Sequence, residues 1–343
     1  MSSDEKNVPA LSKPAWIRVR ASEGGAYAET LSRLRSHRLH TVCEEALCPN
    51  RGHCWSHGRA TILILGDRCT RRCRFCHVDK REVLPPDQDE PARVAAAVAA
   101  SGLREVVLTS VTRDDLPDGG AALWAETIRR VSQIDVAGTQ RAQRNTEGTE
   151  APAGTCSPFG LQGRPLPQGA QSSSVISAST PLSTARILVE VLVPDFGGCA
   201  AAVRLVCESR PAVFGHNLET VSRLYPAVRP EADYARSLNV LRIAARSGLI
   251  TKTSLMLGMG ETREEIEQTL RDARAAGVRI LYCGQYLQPT REHLPVARYL
   301  PPAEFAEIGE VARQIGFDFV ASAPLVRSSY HEEGQSAFVR QAR

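Results

Sequence analysis

The sequence predicts an α/β fold: a parallel sheet covered by helices, as an open partial barrel or a doubly wound sheet. Three observations carry this reading. From Thr61 onward, short runs that are apolar throughout alternate with amphipathic or alanine-rich runs. Strands apolar on every residue are buried on both faces, which is the signature of a parallel sheet between helices. Glycines at 102, 248, 277 and 316 end four of the helical runs, where a left-handed residue stops a helix. About six such strand–helix units fit either architecture, and periodicity does not separate the two.

In chain order, residues 1–14 are polar and charged, with two prolines, and are expected to be disordered. Lys13 to Arg20 places Trp16, Ile17 and Val19 among basic residues, an extended arm lying on the body. Tyr27 to Leu39 repeats leucine at helical spacing among arginines. Strands are expected at Thr61–Leu65, Glu105–Thr109, Ile187–Val193, Ala212–Phe214, Thr251–Leu257, Val278–Cys283 and Phe317–Val320. Helices are expected at Pro91–Ala100, Gly120–Ser132, Gly198–Glu208, Glu231–Arg246, Arg263–Ala276 and Pro302–Ile315, the last with proline in its first turn. Residues 137–182 break the rhythm. They are rich in Gly, Ser, Thr, Pro and Gln and read as a disordered insertion. The segment joins a helix to the next strand, on the face away from the usual active site of a parallel β/α fold. The domain reading is an N-terminal extension at 15–58, a barrel at 59–320 and a C-terminal tail at 321–343 that closes the site.

At 343 residues and 43% apolar, the chain has ample material for a core. A net charge of +4 is too mild to suggest nucleic-acid binding. No apolar run is long enough to span a membrane. The N-terminus lacks a signal or transit pattern, so a cytoplasmic location and a reducing compartment are expected.

In such a compartment clustered cysteines bind metal or do redox chemistry, and six of the ten lie between Cys43 and Cys76. Cys43, Cys48 and Cys54 are spaced C-x4-C-x5-C; Cys69, Cys73 and Cys76 are spaced C-x3-C-x2-C. Three thiolates in a tight loop can hold three corners of a cubane iron–sulfur cluster and leave one iron open. Zinc is the alternative, with His53 or His57 completing the first site. Among the other cysteines, Cys156 falls in the insertion, while Cys199, Cys207 and Cys283 are expected in the core. For a ligand, parallel β/α folds point to strand ends. That nominates Thr109, Glu190 (as acceptor from ribose hydroxyls), Asn217, and the turn Met256 to Gly260, with Met256 and Gly258, where backbone can approach a base closely. Arg71, Arg72 and Arg74, with Arg18, Arg20, Arg33, Arg35 and Arg38, read as a solvated face or as a docking surface for an acidic partner.

The second triplet, with Phe75 before its last cysteine and a strand just before the loop, resembles the signature of radical S-adenosylmethionine (SAM) enzymes. The first triplet, C-E-E-A-L-C-P-N-R-G-H-C-W, resembles the lipoyl synthase family. So do K-P-A-W-I-R-V-R, R-D-D-L-P-D-G-G (Arg113 to Gly120), V-E-V-L-V-P-D-F (Val189 to Phe196), H-N-L-E-T-V-S-R-L-Y (His216 to Tyr225), L-M-L-G-M-G-E-T (Leu255 to Thr262), G-Q-Y-L-Q-P-T (Gly284 to Thr290) and P-L-V-R-S-S-Y (Pro324 to Tyr330). His53, Gly215, Thr253-Ser254 and Ala323 depart from the usual pattern. The resemblance implies an open partial (β/α)6 barrel of the radical SAM kind. It implies two [4Fe–4S] clusters, with SAM on the one held by Cys69, Cys73 and Cys76. The auxiliary cluster of Cys43, Cys48 and Cys54 would take Ser329 as fourth ligand, with Ser328 as fallback and Arg327 beside it, and would be the sulfur source. The implied activity is insertion of two sulfurs into an octanoyl chain on a lipoyl-carrier domain, of the 2-oxoacid dehydrogenase E2 or glycine cleavage H type. The implied further partners are an electron donor and an iron–sulfur carrier that rebuilds the spent cluster.

Overall fold

The computed structural model describes residues 11–19, 24–135, 186–329 and 333–343. The insertion 137–182, with Cys156, and most of the N-terminal 1–14 lie outside them.

Eight strands form one sheet in the order of the chain: β1 (His40–Thr41), β2 (Thr61–Ile64), β3 (Glu105–Ser110), β4 (Leu188–Leu192), β5 (Val213–Gly215), β6 (Thr251–Leu257), β7 (Ile280–Gln285) and β8 (Phe319–Ser322). β1 pairs antiparallel with β2, and every later neighbour pair is parallel. The sequential order decides between the two expected architectures. A doubly wound sheet reverses its direction of growth at a switch point, and this sheet never does. β1 and β8 are its two edges, so the barrel is open.

Helices α1 (Gly25–Ser36), α2 (Val42–Glu45) and α3 (Arg51–Ser56) belong to the N-terminal extension. The crossovers carry α4 (Glu90–Ser101), α5 (Ala121–Ser132), α6 (Ala200–Glu208), the short α7 (Tyr225–Val228), α8 (Tyr234–Arg246), α9 (Arg263–Ala275) and α10 (Pro302–Ile315); α11 (Glu333–Gln341) follows β8. The core lies between sheet and helices. In α5 the buried face includes Ala121, Trp124, Ile128 and Val131, spaced as a helix requires, and these pack in one cluster with Val106, Leu108, Val189 and Val191. Each large apolar side chain buried there contributes about 1.5–3 kcal/mol.

The element boundaries shift for local reasons. α1 stops at Ser36 because Arg38 takes φ 52° and the Leu39 N–H returns to the Leu34 carbonyl at 3.0 Å. α6 starts at Ala200 because Gly197 and Gly198, at φ 59° and 85°, shape a separate 3-10 turn. α8 starts at Tyr234, capped by the Asp233 side chain, which accepts from the Arg236 N–H at 2.7 Å. Strand β1 and helices α2, α3, α7 and α11 are absent from the sequence reading: the first four are too short to show a period, and α11 lies in what reads as a tail. The arm at Lys13–Val19 contains one 3-10 turn (Ala15–Ile17) with Ile17 buried. Cys207 and Cys283 are buried as expected, but Cys199 is exposed, standing at the N-cap of α6 before its buried face begins.

Candidate functional site

The loop after β2 is set by two left-handed residues, Leu65 at φ 66° and Gly66 at φ 90°, which break the strand and turn the chain across the sheet's C-terminal edge. Backbone bonds then fix it. The Cys69 N–H donates to Asp79 O at 2.8 Å, Thr70 N–H to Thr112 O at 3.1 Å, and Arg74 N–H to Val228 O at 2.8 Å. The Thr112 N–H donates to Cys69 Sγ at 3.3 Å. From the segment after β7, His293 Nε2 donates to Cys76 O at 3.1 Å. Arg71 corrects the surface reading. It is buried, bonded through two nitrogens to Asp114 at 2.7 and 2.9 Å and to buried Asp195 at 2.6 Å. It is a strut inside the loop, and removing one partner of such a buried pair costs about 3–5 kcal/mol. Arg72 and Arg74 are exposed, as are Arg18, Arg35 and Arg38; Arg33 is half-buried and paired with Glu29, and Arg20 lies outside the described residues.

Above the strand ends is a cavity of about 400 Å³. Cys69, Cys73, Cys76, Thr109, Asn217 and Met256 line it, and so do His216, Glu219, Arg229 and Lys13. Thr109 Oγ1 donates to Leu192 O at 3.0 Å across the strand ends. Asn217 Nδ2 donates to Glu219 at 3.0 Å. His216 Nδ1 donates to Val193 O at 2.8 Å, and burial, with Arg229 nearby, lowers its pKa to about 4. The imidazole is therefore neutral, with Nε2 an acceptor. Burial also raises the Glu219 carboxyl, against the pull of Arg229. His216, Glu219 and Arg229 have no role in the sequence reading. The first two sit in a quoted motif, but their inward direction follows only from the register of β5 and β6.

Two nominated residues stand elsewhere. Glu190 is not on this cavity. Its carboxylate pairs with Lys252 Nζ at 2.7 Å and accepts from Gln335 Nε2 at 2.6 Å, while Lys252 also donates to Gln335 at 2.8 Å and lies 3.9 Å from the Tyr282 ring centre. This buried group ties α11 into the floor of the barrel. Gly258, at φ 100°, does permit a close approach, but of the chain to itself: a Cβ there would lie 2.3 Å from both Arg298 O and Gln285 Nε2.

The first triplet is built by the extension. Thr41 caps α2, accepting from the Glu44 N–H at 3.3 Å, and α2 holds Cys43. Cys48 N–H donates to Cys43 O at 3.2 Å, and Cys54 N–H to Asn50 O at 2.8 Å. The three thiols line a second cavity of about 430 Å³, toward the N-terminal ends of β3, β4 and β5, with Arg327 and Ser329. Cys48, Arg327 and Ser329 line both cavities, whereas Ser328 lines only the upper one. Ser329 and the first triplet, distant in sequence, are thus brought together. His53 and His57 are exposed on the outside of α3, their rings 4.5 Å apart.

The donor sets fit iron–sulfur clusters. Burial first, then repulsion among thiolates, raises Cys54 and Cys76 to about 12 and Cys73 to about 11, and Cys43 also rises. Each triplet is close enough for its members to repel, so deprotonation needs a compensating cation, which bound iron supplies. Among the described residues no three Cys, His, Asp or Glu side chains are gathered tightly enough for one metal ion. The upper cavity also fits SAM. His216 Nε2, Asn217 Oδ1 and Arg229 Nε are buried on its wall without a hydrogen-bond partner. Two acceptors and one cationic donor match a ligand that carries amino groups and a carboxylate.

An open parallel barrel with a C-x3-C-x2-C loop at the end of its first parallel strand and a cavity over that loop defines the class: residues 63–153 and 177–273 match the Radical SAM superfamily. The chain is 44% identical over 330 residues to a lipoyl synthase of Rubrobacter xylanophilus, covering 96% of this chain and 88% of that one. It is 46% identical over 332 residues to one of Methylococcus capsulatus, again 96% and 88%, and 45% identical over 326 residues to one of Thermus thermophilus, 94% and 85%. Among solved structures, Streptococcus suis SuiB bound to precursor peptide SuiA aligns over 92% of this chain and 57% of that one, at TM-score 0.49 and 10% identity. The chain belongs to the lipoyl synthase family. SAM and a [4Fe–4S] cluster are the cofactors of the class, and a second, auxiliary cluster is typical of lipoyl synthases.

Proposed function

We propose that this chain inserts sulfur at C6 and C8 of an octanoyl group amide-linked to a lysine of a lipoyl-carrier domain. The observation that carries the reading is that the two cysteine triplets open onto two cavities that share Cys48, Arg327 and Ser329. The C–H bonds at C6 and C8 are unactivated, and no side-chain base removes such protons at useful rates. When bound, SAM on the first cluster supplies a carbon radical able to take those hydrogens, and the auxiliary cluster supplies the sulfur.

The chain's own residues hold, orient and enclose. Cys69, Cys73 and Cys76 hold the first cluster. Thr109, Asn217 and Met256 line the SAM pocket with His216 as an acceptor and Arg229 as a cation. Glu190 and Gly258 support it from the floor and the β6 turn. Cys43, Cys48 and Cys54 hold the second cluster, and Ser329 completes it. A serine oxygen is a harder ligand than thiolate and is more easily given up. The half-buried Arg327 guanidinium lies beside it and offsets negative charge; burial lowers its pKa, and the nearby Cys48 thiolate opposes that. Exposed Arg72 and Arg74, on the loop that rims the upper cavity, suit an acidic carrier domain of E2 or H type. An electron donor and an iron–sulfur carrier complete the cycle, and a reducing compartment such as the cytoplasm suits the thiolates. No helix among the described residues is long and apolar enough to cross a membrane.

The test is incubation of the protein, made and handled without oxygen, with SAM, a reductant and an octanoyl-lysine peptide. Mass spectrometry should find two added sulfurs. A peptide that stays unmodified while SAM is cleaved would defeat the substrate assignment.

A further inference from the structure

The auxiliary site draws its residues from both edges of the open sheet, and among the described residues no strand pairing joins β1 to β8. Something else must hold the Ser329 segment against the cysteines. Asn50 stands between Cys48 and Cys54, at the N-cap of α3. An asparagine there ordinarily turns its side chain onto the first free N–H groups of its own helix. This one makes no such bond. It is 5% exposed, and its Nδ2 donates to Leu325 O at 2.7 Å, across 275 residues.

The same segment is gripped from the opposite side. The Gln285 N–H donates to Pro324 O at 3.1 Å, and the Ala323 N–H to Cys283 O at 3.1 Å. At Gly284 a Cβ would fall 2.0 Å from Val326 O, so the segment lies flush on the end of β7 only because 284 has no side chain. Leu325 is four residues before Ser329, and Asn50 lines the same cavity as Cys43, Cys48, Cys54 and Ser329.

We infer that Asn50 is a positioning residue: it clasps the C-terminal segment to the cysteine loop and so fixes Ser329 Oγ at the iron that the cysteines leave open. The inference rests on Ser329 being the fourth ligand. Asn50 acts through its bond to Leu325. Supporting partners of this kind change metal retention by about 10- to 100-fold when removed.

The experiment uses the full chain with Cys69, Cys73 and Cys76 replaced by alanine, so that only the auxiliary cluster loads. The readout is the rate at which a chelator removes the first iron, followed by absorption and iron content. Ser329→Ala and Asn50→Ala should each speed that loss about tenfold or more. The double variant should be no faster than either single, because both break one unit. Gly284→Ala, which pushes the segment off from the other side, should match them. If Ser329→Ala speeds the loss and Asn50→Ala does not, or if their effects multiply, the clasp is wrong while the serine ligand stands. If neither changes the rate, the serine ligand falls and the clasp with it. Should Asn50→Ala load no cluster at all, Gly284→Ala decides: a wild-type rate there overturns the inference.

Discussion

The two cysteine triplets are held in opposite ways. Cys69, Cys73 and Cys76 belong to one loop between β2 and α4, and backbone bonds plus the Arg71 strut to Asp114 and Asp195 shape it locally. Cys43, Cys48 and Cys54 complete nothing alone. Their cavity is lined also by a segment more than 270 residues further along the chain, bonded to Asn50 and seated on Gly284. A site with all its ligands in one loop forms wherever that loop forms. A site with ligands on two edges forms only when the sheet is whole.

Mutations should separate the two, beginning with the most severe. Cys69→Ala, Cys73→Ala or Cys76→Ala should bring 5′-deoxyadenosine formation to background, measured by chromatography on folded protein. Cys43→Ala, Cys48→Ala or Cys54→Ala should retain part of that formation but yield no sulfur-bearing product. Equal loss of SAM cleavage in both sets would erase the distinction. Ser329→Ala should lower sulfur insertion by about 10- to 100-fold while SAM cleavage persists. Ser329→Cys should give a coloured, cluster-loaded protein with poor turnover, since thiolate holds iron more tightly. Wild-type product formation by Ser329→Ala would remove it as a ligand, and a defect in Ser328→Ala instead would move the ligand one residue earlier, onto a side chain that lines the upper cavity only.

The smallest effect is expected from deleting Gly138 to Thr180 and closing the gap with a short linker. Asp135 and Arg186, which flank the segment among the described residues, meet in an antiparallel bridge, so a short linker can span between them. Loop closure changes stability by only about 1 kcal/mol for such a difference in length. Turnover should stay within about twofold. A large loss with both clusters present would make the segment part of carrier binding.

The sequence showed the local site far better than the composite one. Cysteine spacing and a strand before the loop are contiguous information, and so are the apolar runs of the sheet. That Arg71 is buried depends on Asp195, which comes from another strand end. Glu190 reads as a ligand at a strand end until β6 brings Lys252 against it. Asn50 has no role in the sequence reading, because nothing near it in sequence names Leu325 as its partner. Gly258 shows the reverse: the need for glycine was legible, but what approaches it was not.

Synthesis runs from the N-terminus, so the chain acquires its two sites at different times. The radical loop gains its bonding partners as Thr112, Asp195, Val228 and His293 emerge, but Asn50 must wait for Leu325. During that interval the first triplet exists without the segment that Asn50 holds beside it. A message cut short after codon 293, which supplies the last of the radical loop's bonding partners, but before codon 325 would thus encode that loop with its partners and without the Asn50–Leu325 bond.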